Sequence, residues 1–161
     1  MKNGSNLIVT TPSDREIAMT RVFNAPRHLV YEAHTNPELL KRWLGVFGDW
    51  SLVACEIDLR VGGSLRYVWR NKANGQEMGM SGTYREIVPN ERIVSTEVFD
   101  DPWYEGEAVG TLTFVEENGR TTLTSIVTYS SKETRDGVLQ SGMETGVAKS
   151  YDKLEQDVLA A

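Results

Sequence analysis

Between about residue 50 and residue 129 the chain alternates apolar and polar residues in short runs separated by turn signals. Asn74-Gly75 and Asn118-Gly119 are the strongest of these, because such a pair readily supplies the two positive-φ residues of a tight hairpin. Strands with one apolar and one polar face must bury the apolar one. A single segment is long enough to cover it: residues 130–161, SSKETRDGVLQSGMETGVAKSYDKLEQDVLAA, which contain no proline. Apolar or small residues recur there at Leu139, Gly142/Met143, Gly146/Val147, Ser150, Leu154 and Val158, the spacing of one helix face. Ser130 and Glu133 read as a capping box. One continuous helix of this length spans more than about 40 Å. Glycine inside a helix costs about 1 kcal/mol against alanine, so the strip Gly142, Gly146, Ser150 needs a reason. Close approach to a packed sheet is one, and a roof that leaves room for a bound molecule is the other.

Counting outward from the two Asn-Gly turns gives the registers. With a two-residue loop at 74–75, Ala73 opposes Gln76, Trp69 opposes Met80, Tyr67 opposes Gly82 and Leu65 opposes Tyr84. One face of that hairpin then carries Leu65, Tyr67, Trp69, Met78, Met80 and Tyr84, and the other Arg66, Val68, Arg70, Gly79, Ser81 and Thr83. In the second hairpin Phe114 opposes Leu123, Leu112 opposes Ser125 and Gly110 opposes Val127. Its apolar face carries Leu112, Phe114, Leu123, Val127 and Tyr129, while the other is nearly all threonine, as a solvated sheet surface requires.

Ahead of these strands, residues 1–5 read as a frayed terminus. An extended segment broken near Pro12 follows, then a strand carrying Ile17 and Met19, stopped by Asn24-Ala25-Pro26. Two short helices come next: RHLVYEAHT with Leu29, Val30 and Ala33 inward, and PELLKRWLG with Asn36 as cap and Pro37 at its first position. Strands are expected over 50–59, 64–71 and 92–99, and along the second hairpin. The fold class is α+β: one domain over 1–161, a curved antiparallel sheet wrapped around a long C-terminal helix, with two short helices after the first strand.

The segments that carry a likeness are Thr20-Arg21-Val22-Phe23-Asn24-Ala25-Pro26, Pro37-Glu38-Leu39-Leu40-Lys41-Arg42-Trp43 and Cys55-Glu56-Ile57-Asp58-Leu59-Arg60-Val61-Gly62-Gly63. Tyr84-Arg85-Glu86-Ile87-Val88-Pro89-Asn90-Glu91-Arg92-Ile93 and Gly142-Met143-Glu144-Thr145-Gly146 complete them. In this order the chain resembles the START-like (SRPBCC) superfamily of helix-grip proteins. Within it, the resemblance is to the subfamily related to the C-terminal domain of the activator of the heat-shock-protein-ninety ATPase. The resemblance implies a deep cavity between sheet and helix, often holding a hydrophobic small molecule, and adds a chaperone as a partner. The 161 residues leave no room for the further N-terminal domain of the eukaryotic activator, which argues against ATPase stimulation. The matched motif residues look structural, and fold alone does not imply activity.

Methionine and aromatic side chains make an adaptable apolar wall, and buried tyrosine hydroxyls and indole N–H groups need partners that water or a ligand can supply. Set against the strip on the helix, they make it the roof of a pocket. The expected ligand cavity comprises Trp43, Leu65, Tyr67, Trp69, Met78, Met80, Tyr84, Leu112, Phe114, Val127, Tyr129, Leu139, Met143, Gly146 and Val147. Trp43 either caps its mouth or packs its short helix. Trp103 and Tyr104, in the acidic loop 100–105, either form a rim or partner contact, or fold onto the sheet.

Chemistry is sparse. Glu56 and Asp58 share a strand face, but Cys55, Ile57 and Leu59 take the apolar side, so the carboxylates point to solvent and to nearby arginines. His34 lies near a helix C-terminus, where an imidazolium would favour the dipole. Cys55 on the apolar face reads as inert. His28, His34 and Cys55 match no zinc spacing, and no nucleophile elbow or phosphate loop is present, so no metal, cofactor or catalytic group is expected. A net charge of −6 disfavours nucleic acid. One cysteine excludes an internal disulfide. With no leader and no long apolar run, the cytoplasm is the expected compartment and membrane insertion is not expected. The leading expectation is a non-enzymatic binding protein for a hydrophobic or amphipathic, lipid-like or aromatic molecule. A cyclase-like or lyase-like enzyme would require an ionisable residue inside the cavity.

Overall fold

The computed structural model describes residues 7–160, so the terminus expected to fray lies outside the described residues. One eight-stranded antiparallel sheet runs in the order β1-β2-β8-β7-β6-β5-β4-β3. Its strands are β1 (Ile8–Thr10), β2 (Glu16–Phe23), β3 (Trp50–Ile57), β4 (Ser64–Asn71), β5 (Glu77–Val88), β6 (Arg92–Phe99), β7 (Ala108–Glu117) and β8 (Arg120–Thr128). After β2 the chain crosses to the far edge through helices α1 (Arg27–Thr35) and α2 (Pro37–Leu40). It then returns strand by strand until β8 meets β2. Register shifts between Leu52 and Ala54 and between Tyr84 and Glu86 add local twist, as bulges do.

The two hairpins show how local chemistry sets register. At the second, Asn118 and Gly119 both adopt positive φ, 56° and 75°, and the pairs Phe114–Leu123, Leu112–Ser125 and Gly110–Val127 form as the turn dictates. The first departs by two residues: Trp69 pairs with Met78, Tyr67 with Met80 and Leu65 with Gly82. The cause is a longer loop. The Asn71 carbonyl accepts from Gly75 N–H at 2.8 Å, its side chain accepts from Ala73 N–H at 2.9 Å, and Asn74 Oδ1 accepts from Gln76 N–H at 2.8 Å. A shift of two leaves every side chain on its expected face.

In α1, Val30, Tyr31 and Ala33 are buried, whereas Leu29, expected inward, is exposed. Val30, Ala33 and His34 form the i, i+3, i+4 stripe, and Leu29 falls to one side of it. Asn36 caps α2 as expected, accepting from Glu38 N–H at 3.0 Å, but α2 closes after one turn and continues as bends.

The C-terminal segment is broken rather than continuous. Helix α3 (Lys132–Gln140) ends at Ser141, α4 (Met143–Lys153) follows, and a π-helical turn covers Leu154–Leu159. Gly142 sits between them at φ 82°, a left-handed conformation that L side chains adopt only with strain. The cap of α3 is Ser131, whose Oγ accepts from Thr134 N–H at 3.1 Å. Ser130, expected in that role, instead donates its hydroxyl to the Glu105 carbonyl at 2.8 Å.

Two buried clusters result. One joins Phe23, Val30, Leu40, Trp43, Phe114, Leu123, Tyr151 and Leu154, and the other joins Ile17, Met19, Ala108, Val127, Tyr129 and Val138. Gly142 and Gly146 therefore have different reasons to be glycine. Gly142→Ala, forced to positive φ, should lose about 1 kcal/mol, a fall in Tm of roughly 3 °C. Gly146→Ala, whose added carbon would lie 3.6 Å from Phe47, gains helix propensity and should raise Tm by a similar amount. Thermal unfolding checks both, and a rise at both positions would contradict the break.

Candidate functional site

Between the sheet and α4 lies a cavity of about 490 Å³. Its floor comes mainly from alternate residues of five strands: Leu65, Tyr67 and Trp69 on β4, Met78 and Met80 on β5, Ser95, Glu97 and Phe99 on β6, Gly110 and Leu112 on β7, and Ser125 and Val127 on β8; Met19 on β2, Trp50 on β3 and Thr111 on β7 also line it. The bends after α2 add Trp43, Leu44, Gly45 and Phe47, and Met143, Gly146, Val147, Ser150 and Tyr151 form the roof. Tyr129, beyond the end of β8, completes the set, so Trp43, Leu65, Tyr67, Trp69, Met78, Met80, Leu112, Val127, Tyr129, Met143, Gly146 and Val147 all line this one hollow.

Tyr84, Phe114 and Leu139 do not line it. Tyr84 is buried in the first cluster, and Phe114 is wedged against the rings of Tyr31 and His34 at 5.5 and 5.6 Å. Leu139 belongs to α3 and packs against the second cluster, because the break at Gly142 takes it out of line with α4. Trp43 is wall rather than cap: it is buried, with its indole N–H donating to the Ala33 carbonyl at 3.0 Å. Trp69 donates likewise to the Leu44 carbonyl at 3.0 Å. Both indoles are thus satisfied by backbone. Tyr67, Tyr104 and Tyr129 have no side-chain hydrogen bond among the described residues.

Trp103 and Tyr104 form part of the rim. A chain of edge-on rings runs Phe99–Trp103 at 5.9 Å, Trp103–Tyr104 at 5.0 Å and Tyr104–Tyr129 at 5.3 Å, and Trp103 keeps 45% of its surface exposed.

The charged group of the cavity is Glu97. It is partly buried, has no hydrogen-bond or ion-pair partner among the described residues, and desolvation pushes its carboxyl up to about 7. Gly110 on the neighbouring strand makes room for it, since a Cβ there would lie 2.7 Å from Glu97 Oε2. Burial, with a smaller contribution from the Glu97 charge, raises the hydroxyls of Tyr104 and Tyr129 above their ordinary range, and Tyr67 also rises. Glu97 was readable: Ile93, Ser95, Glu97 and Phe99 alternate, which puts a carboxylate on an apolar face.

His34 is the second polar group. Its Nδ1 lies 2.8 Å from the Val30 carbonyl, which fixes the proton there, and the buried Nε2 has no partner among the described residues. Burial pushes its pKa down to about 4, so the ring is neutral and is not the imidazolium that its helix-end position suggested. Among the described residues no lysine or arginine lines the cavity. Asp58 pairs with exposed Arg60 at 2.9 Å, Glu56 faces solvent, and buried Cys55 has its thiol pushed up to about 11; none of these lines the cavity. Among the described residues no group of three or more His, Cys, Asp or Glu is placed to hold a metal, and no helix is long and apolar enough to cross a membrane.

The family model of the activator of Hsp90 ATPase homolog 1-like proteins matches residues 24–158. The chain belongs to this family. A crystal structure of a Rhodobacter sphaeroides protein is 29% identical, with TM-score 0.87, covering 93% of this chain and 95% of its own. One from Chromobacterium violaceum is 28% identical, with TM-score 0.76, covering 91% and 99%. The solution structure of an activator-like protein from Aeromonas hydrophila shares the fold at 20% identity, with TM-score 0.73, covering 90% and 95%. Among curated proteins there is no match. The activator-like family thus accounts for the helix-grip architecture.

Glu97 makes stability depend on pH in a definite direction. Its folded pKa lies above the ordinary 4.5, so its contribution is full below about 4.5 and lost as pH rises through about 7. Glu97→Gln cannot ionise and should be more stable than the parent by about 3 kcal/mol at about pH 8, with little difference near pH 4.5. Urea unfolding at the two pH values checks this, and equal effects would contradict a desolvated carboxyl.

Proposed function

We propose that the protein binds a small apolar or amphipathic molecule, lipid-like or aromatic, between the sheet and α4. The carrying observation is the cavity itself: about 490 Å³ is the size of a typical small-molecule site, and its wall is mainly aromatic and methionine side chains with few polar groups. Apolar burial supplies most of the affinity, at roughly 25 cal/mol per Å² before the costs of association.

A neutral fluorescent probe such as Nile red, titrated with the protein, should bind at one saturable site. Gly146→Leu, which puts bulk into the roof, should weaken that binding by about tenfold or more while thermal unfolding shows the fold retained. Absence of saturable binding across a broad set of neutral lipids and aromatic compounds would contradict the proposal.

A second reading, acid–base catalysis on the bound molecule, is favoured by Glu97, the ionisable group that such an enzyme requires at its cavity. Conversion of a captured molecule that is lost in Glu97→Gln would support it, and recovery of every captured molecule unchanged would count against it. A chaperone interaction has the family description alone behind it.

A further inference from the structure

The cavity has a one-sided electrostatic character that its apolar wall conceals. Among the described residues Glu97 is the sole acidic one on the lining, and neither lysine nor arginine lines it. His34, whose imidazole also lines the cavity, is held neutral by burial. Phe99 stands two residues along β6 from Glu97, on the same face, and leads into the rings of Trp103, Tyr104 and Tyr129. Aromatic faces carry negative potential and attract cations. A carboxylate held in an apolar wall without a counter-charge is costly, and a bound cation removes that cost.

Resting on the binding function proposed above, we infer that the ligand is an organic cation: an ammonium group on an apolar body, the charge seated between Glu97 and the Phe99, Trp103, Tyr104 and Tyr129 rings. Gly110 leaves the carboxyl its place. Tyr67, Tyr104 and Tyr129 offer hydroxyls around it that stay protonated at neutral pH, since burial raises all three. An anionic ligand would meet the Glu97 charge with no compensating cation. A neutral one would leave that carboxylate unpaired.

The test is a matched series of equal chain length: decylamine, decanol and decanoic acid, each below its self-association concentration, titrated calorimetrically into the intact protein. The amine should bind about tenfold more tightly than the alcohol at about pH 8, the gain of one charge-assisted contact. That ratio should fall toward one at about pH 5, where Glu97 gains its proton while Tyr67, Tyr104 and Tyr129 remain protonated and His34 remains neutral. It should also collapse in Glu97→Gln at about pH 8, an isosteric change whose folding is checked by circular dichroism. Equal binding of amine and alcohol, or tighter binding of the acid, would overturn the cation assignment and leave the apolar-ligand function standing. Failure of all three to bind would overturn both.

Discussion

Everything about the hollow depends on where α4 is fastened. Its C-terminal half is clamped. Ser150 Oγ accepts from Gly45 N–H at 3.0 Å, Tyr151 packs edge-on against Phe23 with ring centroids 5.4 Å apart, and Leu154 is fully buried. Asp152 pairs with Arg21 at 2.7 Å, and Arg21 is only 4% exposed. A buried guanidinium needs a partner, and because Asp152 itself is about one-third exposed, losing the pair costs less than the roughly 3–5 kcal/mol of a fully buried one. In the N-terminal half, Met143 to Val147, no side chain makes a hydrogen bond or ion pair among the described residues; Met143 and Val147 pack against the second cluster and line the hollow. One end seated and the other bridging is what leaves a cavity where a straight, fully packed helix would leave a core.

Much of the fold was legible because it rests on local rules. The Asn118-Gly119 turn determined its register without help from the rest of the chain, and strands 64–71 and 92–99 were bounded by their own turn residues. The Asn74-Gly75 hairpin slipped by two because the side chain of Asn71 competes for the turn, and nothing in a two-residue template weighs that hydrogen bond. The broken helix was missed for a related reason. Gly142 occupied a helix-face position in the periodic pattern, yet its backbone is left-handed, and periodicity in sequence cannot distinguish a glycine that packs from one that ends a helix.

The cavity wall was legible in its apolar part and only weakly in its polar part. Face counting placed Tyr67, Trp69, Met78 and Met80 together, and even the register slip preserved their side of the sheet. Glu97 lay on a face that alternation also specifies, but a single carboxylate among strand residues carries weight only when its neighbours are known to be a glycine gap and tyrosines. His34 showed the same limit: its helix-end position suggested a charged ring, whereas three-dimensional burial makes it neutral. Family membership accounts for the architecture, and Glu97 places a carboxylate in the wall of the hollow.

The carboxyl of Glu97 therefore offers the most direct measurement. Followed by carboxyl-carbon NMR in a pH titration of the ligand-free protein, it should titrate with a midpoint near 7, the consequence of a charge held in a poorly solvated cavity wall. A midpoint at the ordinary 4.5 would show the group freely solvated and would contradict a cavity that selects its ligand through a buried charge.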